Sequence, residues 1–252
     1  MRKLLLASLV LVWASLAGAA DRSAKDILQD ARRRYRVENA VQTMKMTLVS
    51  RSGKERVREL EIKVRRDGDI LSSYTRFLAP SDVAGTQLVL VDHPDQDDDQ
   101  LLYLPALERV TRIAGKARSG SFMGSDFRYS DFELDTGAGS THTLLEENAE
   151  WWVVETTCGP GDADARFVTH IGRADSLPRK VEWFDSTGAV TRRMTVDQVD
   201  MKDGVPVPSI SRMEDLKRET STRLEITEIA LGVTVEQVPD EVFTSAYMER
   251  NG

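Results

Sequence analysis

The side chains best suited to bond chemistry are few and scattered. The three histidines, His93, His142 and His170, share no helical or zinc-ligand spacing. Cys158 is the only cysteine, so no internal disulfide can form. It runs into Gly159-Pro160, which reads as a strand end and not as the setting of an activated nucleophile. Gly120-Ser121-Phe122-Met123-Gly124 approaches a Gly-x-Ser-x-Gly elbow, but its serine is one place off and no strand-to-helix turn surrounds it. The acidic run Asp95–Asp99 has carboxylates for calcium but lacks the loop glycine and the twelfth-position glutamate, and reads as a solvated hairpin tip. A hydrolase of lipid esters would need a nucleophile, a base and an oxyanion site, and these residues do not supply the set. The expectation is no catalytic residue, no metal and no cofactor.

Binding chemistry is better represented. Residues 105–139 are rich in Gly, Ser and Arg, yet carry Phe122, Met123, Phe127 and Tyr129. Long loops in compact domains often serve as lids or binding loops. These apolar side chains are therefore either a lid or a loop folded on its own small core. Arg109, Arg112, Lys116 and Arg118 form a basic run beside them. It reads either as a contact for a lipid phosphate or cargo head group, through Arg109 and Arg112, or as a solvated face.

The elements that must position these residues follow an N-terminal segment of a different kind. Met-Arg-Lys, an apolar run from Leu4 to Leu16 and Ala17-Gly18-Ala19-Ala20 read as a signal peptide over residues 1–20. The apolar run is shorter than the roughly 20 residues of a membrane span. No Leu-x-x-Cys lipobox is present. The expected product is a single periplasmic domain over residues 21–252, not lipid-anchored. Cleavage would remove Arg2 and Lys3 and no acid, taking the formal charge from −7 to −9. That balance argues against nucleic acid as a partner and against adsorption to anionic lipid surfaces.

Residues 23–36 read as an amphipathic helix, with Ser23 as cap and Asp26 in capping-box spacing. Ile27, Leu28, Ala31 and Tyr35 share one face. The period then changes to two. Met44, Met46 and Leu48 alternate with Thr43, Lys45 and Thr47, and Leu60, Ile62 and Val64 alternate with Glu59, Glu61 and Lys63. Asp67-Gly68-Asp69 and Lys202-Asp203-Gly204 are turn signals between such runs. Continued to Val233, the pattern predicts a mainly β chain of about eleven antiparallel strands at hairpin spacing. Alternation implies one apolar and one polar sheet face. A sheet of this size curls or closes. Periodicity alone leaves a packed β-sandwich open beside a curved sheet with a cavity.

Several blocks resemble the LolA-like outer-membrane lipoprotein-sorting family. They are Phe77-Leu78-Ala79-Pro80-Ser81-Asp82-Val83-Ala84-Gly85-Thr86, Leu102-Tyr103-Leu104-Pro105-Ala106-Leu107 with Arg109-Val110-Thr111-Arg112-Ile113, and Ser121-Phe122-Met123-Gly124-Ser125-Asp126-Phe127. Pro239-Asp240-Glu241-Val242-Phe243-Thr244 is also similar. The resemblance runs in the same order over nearly all of residues 21–252. It implies an unclosed half β-barrel with helices and loops over its apolar concave face. It also implies a periplasmic carrier of acyl chains, whose cargo is an acylated lipoprotein or a lipid. Inner-membrane RND-type (MMPL-like) transporters are the implied partners, and an outer-membrane acceptor is a possible one. The expected state is a monomer without nucleic acid.

The physics of carriage fits such a face. Each exposed methylene costs about 0.8 kcal/mol in water, so a chain of roughly 16 carbons needs a shield of the order of 12 kcal/mol. Met44, Met46, Leu88, Leu90, Phe122, Met123, Phe127 and Tyr129 are the expected lipid-binding side chains. Met194 and Met213 are further candidates, since Met adapts to varied shapes; plain core packing is the other reading of the methionines. A sensor that binds lipid and regulates a membrane partner or exporter is the alternative function.

Overall fold

The structure, a computed structural model, describes residues 22–35, 37–93, 98–133, 139–159 and 164–252. The expected signal peptide and most of the acidic run at 95–99 lie outside these residues. Helix α1 (Ala24–Tyr35) begins as its sequence predicts. The Ser23 hydroxyl accepts from the Asp26 amide at 3.1 Å, as an N-cap does, and donates to the Asp26 carboxylate at 2.6 Å. Ile27, Leu28 and Ala31 form its buried stripe.

Among the described residues one sheet follows, with thirteen strands, every neighbouring pair antiparallel. Strands β1 (Ala40–Val49), β2 (Glu55–Asp67), β3 (Ile70–Ala79), β4 (Gln87–Asp92), β5 (Asp99–Leu104) and β6 (Arg109–Arg112) step outward to one edge. Strands β7 (Thr141–Glu147), β8 (Trp151–Thr157), β9 (Arg166–Gly172), β10 (Pro178–Phe184), β11 (Val190–Lys202), β12 (Val205–Asp215) and β13 (Thr220–Leu231) start at the opposite edge and step back. They end where β13 pairs with β1. The count exceeds the expected eleven. Arg109–Arg112, read as part of a basic loop, is itself a strand paired to β5. Its charged residues hide the alternation because it is a short edge strand with little to bury.

The edge strands β6 and β7 are not neighbours in the sheet, so it is an open half-barrel. From the β6 edge, residues 113–133 run across the concave face. They carry short helical turns at Gly115–Ser119, Phe122–Gly124 and Tyr129–Phe132. Hairpin turns fall where expected. Gly68 (φ 56°) lies in the left-handed region, and so do Asp203 (φ 50°) and Gly204 (φ 80°), as a primed turn requires.

The main core lies on the concave face. It joins α1, inward residues such as Met46, Leu60, Phe77 and Met213, and the crossover aromatics Phe122, Phe127 and Tyr129. The convex face is not uniformly polar. Tyr74, Val89 and Tyr103 form a second core there with Val238, Val242, Phe243 and Met248 of the C-terminal segment, which ends in α2 (Ser245–Arg250). Strand β4 is thus covered on both sides, which explains its unbroken Leu88-Val89-Leu90-Val91 run. Over β10–β13 the outward positions stay charged: Arg193 pairs with Glu182 at 2.9 Å and Arg212 with Asp197. No helix among the described residues is long and apolar enough to cross a membrane.

Candidate functional site

Between α1, the crossover and the concave sheet lies a cavity of about 690 Å³. That is within the ~300–1,000 Å³ span of ligand sites. Inward alternation sets its walls. Met44 and Met46 come from β1, Leu60 and Ile62 from β2, and Leu88 and Leu90 from β4. Met194 and Met213 face them from β11 and β12, and α1 contributes Leu28, Ala31 and Tyr35. The cavity opens near Gly115, Lys116 and Ser119, the lining residues that are exposed.

Of the eight side chains expected to bind lipid, six line this cavity: Met44, Met46, Leu88, Leu90, Phe122 and Phe127. Phe122 and Phe127 are each 3% exposed. Phe122 packs against Phe77, Tyr129 and Phe132 at 5.7, 5.6 and 5.0 Å between ring centroids. The crossover is therefore both cover and core. Met123 and Tyr129 pack in this cluster without lining the cavity. Arg109 and Arg112 do not line it either. Arg112 stands opposite Leu101, on the convex side, and pairs with Asp99 at 2.7 Å. A four-residue edge strand sends alternate side chains to opposite faces, so the two arginines do not converge.

Polar anchors hold the crossover to strands on both sides of the half-barrel. Arg58 on β2 donates to the Met123 carbonyl at 2.6 Å, which lies in a left-handed residue (φ 50°). Burial works against the charge of Arg58 and lowers its pKa, with Arg56 adding to the effect. The buried Asp126 carboxylate accepts from Thr222 at 2.7 Å, Thr220 at 2.5 Å and Arg218 at 3.0 Å. Arg192, 3% exposed, donates to both oxygens of Asp131 at 2.7 and 3.1 Å and to Asp164 at 3.0 Å. Asp164 also accepts from Arg128 at 2.6 Å. Burial opposes the charge of Arg192, but Asp131 and Asp164 outweigh it and its pKa is raised. Its Nε, inside the cavity wall, has no hydrogen-bond partner.

A second polar group sits nearer the opening. Glu133 lies 3.2 Å from Arg118 and accepts from Gln100 at 2.8 Å. Burial, with help from Asp98 and Asp92, outweighs Arg118 and pushes its carboxyl up to about 7. Sequence reasoning missed Arg58, Asp131, Glu133, Asp164 and Arg192. Arg192 had a signal: it shares the inward register of Met194, where an uncompensated charge would not be tolerated.

The residues considered for chemistry stay apart. His93 contacts Asp99 at 3.2 Å and His142 contacts Thr156 at 3.0 Å. Burial lowers the pKa of His170, beside Lys180 on the next strand. The Ser121 hydroxyl donates to the Ser125 carbonyl at 2.5 Å within a short turn. Cys158 is half-buried and lines the cavity. No cluster of three or more His, Cys, Asp and Glu side chains fit for a metal ion occurs among the described residues.

A family model described as "-like: Uncharacterized protein" matches residues 71–250. No curated protein matches the chain. Among solved structures, a putative outer membrane lipoprotein-sorting protein domain from Vibrio parahaemolyticus is 28% identical, with a TM-score of 0.77 over 90% of this chain and 98% of that one. A DUF1329 family protein from Desulfovibrio piger is 22% identical, with a TM-score of 0.77 over 89% and 97%. A LolA superfamily protein from Nitrosomonas europaea is 17% identical, with a TM-score of 0.68 over 90% and 99%. The last two show likeness of fold alone.

Proposed function

The chain belongs to the family described as "-like: Uncharacterized protein" and shares its fold with LolA-superfamily proteins, and we propose that it is a periplasmic carrier of acylated cargo. The cargo is a lipoprotein or a lipid, taken from an inner-membrane transporter of the RND (MMPL-like) type and passed towards an outer-membrane acceptor. Residues 1–20 act as the export signal, and the remaining domain works as a monomer without bond chemistry or cofactor.

The observation that carries this reading is the apolar cavity of about 690 Å³ on the concave face, walled by Met44, Met46, Leu88, Leu90, Met194 and Met213. Flexible thioethers let one wall fit acyl chains of different shape. The likeness to the Vibrio domain, whose description names lipoprotein sorting, supports the same cargo class. Transfer needs the cargo to be shielded in water and released without breaking a bond, and burial of methylenes is reversible in that sense.

The test is native mass spectrometry of the chain purified without detergent from the periplasm, followed by lipid extraction. The carrier reading expects acyl material in stoichiometric amount, and its loss in Leu90→Trp with Met213→Trp, which fill the cavity with apolar volume. A protein that carries nothing and takes up no fluorescent fatty acid or phospholipid overturns it.

A further inference from the structure

The cavity is not electrically neutral. Its lining includes Arg32, Lys116, Arg118, Arg128 and Arg192 against Asp131, Glu133 and Asp164. The excess is positive in a chain whose formal charge is −7. The charges also divide in space. Arg128 and Arg192 are matched by Asp131 and Asp164 in the buried cluster that anchors the crossover. That leaves Lys116 and Arg118 near the opening, with Glu133 as the lining carboxylate beside them among the described residues.

From this arrangement we infer that the cargo is an anionic amphiphile, held with its acyl part against the methionine walls and its acidic head group at Lys116 and Arg118. The inference rests on the carrier reading and narrows its substrate class. Lys116 is exposed on the turn Gly115–Ser119 and makes no ion pair among the described residues. Arg118 is better fixed: one guanidinium nitrogen donates to the Asp98 carbonyl at 3.0 Å, and its Nε lies 3.2 Å from Glu133. Its contact with Glu133 is poorly aligned, since that Nε makes no hydrogen bond. Arg32 leans over the Phe167 ring at 5.7 Å and donates to the Glu133 carbonyl at 3.5 Å. An acid placed among these groups gains charge-assisted hydrogen bonds. A zwitterionic or neutral head group gains less, because its own cation meets like charge or it has no charge to offer.

Glu133 fits this picture. Its raised pKa means that it gives up its charge more readily than an ordinary glutamate, so the entrance becomes more positive as pH falls through about 7. A carboxylate and a phosphate share the required chemistry, so a free fatty acid and an anionic phospholipid are the two sources to separate.

The experiment uses the full chain as secreted, delipidated, with dansyl-undecanoate as reporter. Palmitate, palmitoyl lysophosphatidylglycerol and palmitoyl lysophosphatidylcholine are the competitors. The two acids are expected to bind at least about tenfold tighter than the zwitterion, the scale of one charge-assisted contact. Lys116→Glu, on an exposed turn where folding is not at stake, is expected to weaken both acids by about tenfold and the lysophosphatidylcholine by much less. Arg118→Gln acts in the same direction. Tighter binding of palmitate than of lysophosphatidylglycerol assigns the head group to a carboxylate, and the reverse assigns it to a phosphate. Equal affinity for all three, or a Lys116→Glu effect equal on all three, overturns the inference while the carrier reading stands. Binding of none overturns both.

Discussion

Arg192 on β11 grips both carboxylate oxygens of Asp131 in the crossover, at 2.7 and 3.1 Å, across 61 residues of chain. Both side chains are under a tenth exposed. The segment over the cavity is therefore tied to the half of the sheet that lies beyond it, and not only to the strand it leaves. Breaking a buried pair leaves a charge without water or partner. Arg192→Met is expected to lower unfolding stability by about 3–5 kcal/mol. The double variant Arg192→Met with Asp131→Asn should lose less than the single one. Urea unfolding reads both, and a single-variant loss below about 1 kcal/mol would show that the pair is not what ties the crossover down.

A second anchor is Asp126, whose carboxylate takes hydrogen bonds from Thr220, Thr222 and Arg218 of the β13 side. Asp126→Ala strands two hydroxyls and should cost about 2–3 kcal/mol, whereas Thr222→Val should cost about 1–2 kcal/mol. Amide hydrogen exchange across residues 115–133 should rise more than in β8 and β9. Uniform acceleration over the whole sheet would mean that Asp126 supports global stability without a special hold on the crossover.

Glu133 makes stability depend on pH in a stated direction. Its folded pKa is about 7 against an ordinary 4.5, so the folded protein binds this proton more tightly than the unfolded chain does. Its favourable contribution is complete near pH 4.5 and is lost as pH rises through about 7. The difference in Tm between the wild type and Glu133→Gln should therefore change between about pH 5 and pH 8, with the wild type losing ground at the alkaline end. Parallel Tm curves would contradict the burial that sets this pKa.

The C-terminal segment should behave as part of the core. Met248 is fully buried, and its carbonyl accepts from Gln87 at 2.9 Å, while Gln87 in turn accepts from the Tyr74 hydroxyl at 2.9 Å. Arg65 reaches the Val238 carbonyl and Asp240 from beneath the same segment. Met248→Ala should cost about 2–5 kcal/mol, the range for a buried methionine reduced to alanine. Dye binding to exposed apolar surface should rise when residues 245–252 are removed, because Tyr74, Val89 and Tyr103 would face water. An unchanged melting curve for both variants would place the segment outside the cooperative unit.

Much of the fold was legible because its signals are local. The period of two in β1 and β2, the N-cap of Ser23 on Asp26 and the turn at Gly68 each depend on a few neighbouring residues. Alternation also places Met44, Met46, Leu88 and Leu90 on one face before any contact is known. A side chain's place relative to the cavity was not legible where its direction depends on which strand pairs with which. Arg109 and Arg112 looked like a cluster in sequence, but pairing with β5 makes them part of an edge strand.

The amino-acid sequence alone determined a mainly β chain with an inward apolar register, an amphipathic leading helix and a loop too apolar to be idle. Those properties follow from side-chain type and backbone period over short stretches. Tertiary structure decided that the half-barrel stays open and that residues 113–133 lie across its concave face. It also decided that Arg58, Asp126 and Arg192 hold that crossing, and that Lys116 and Arg118 reach the cavity lining. These facts join residues 61 to 96 positions apart. No local propensity encodes such a pairing; the sheet must form first to bring the partners within hydrogen-bond distance.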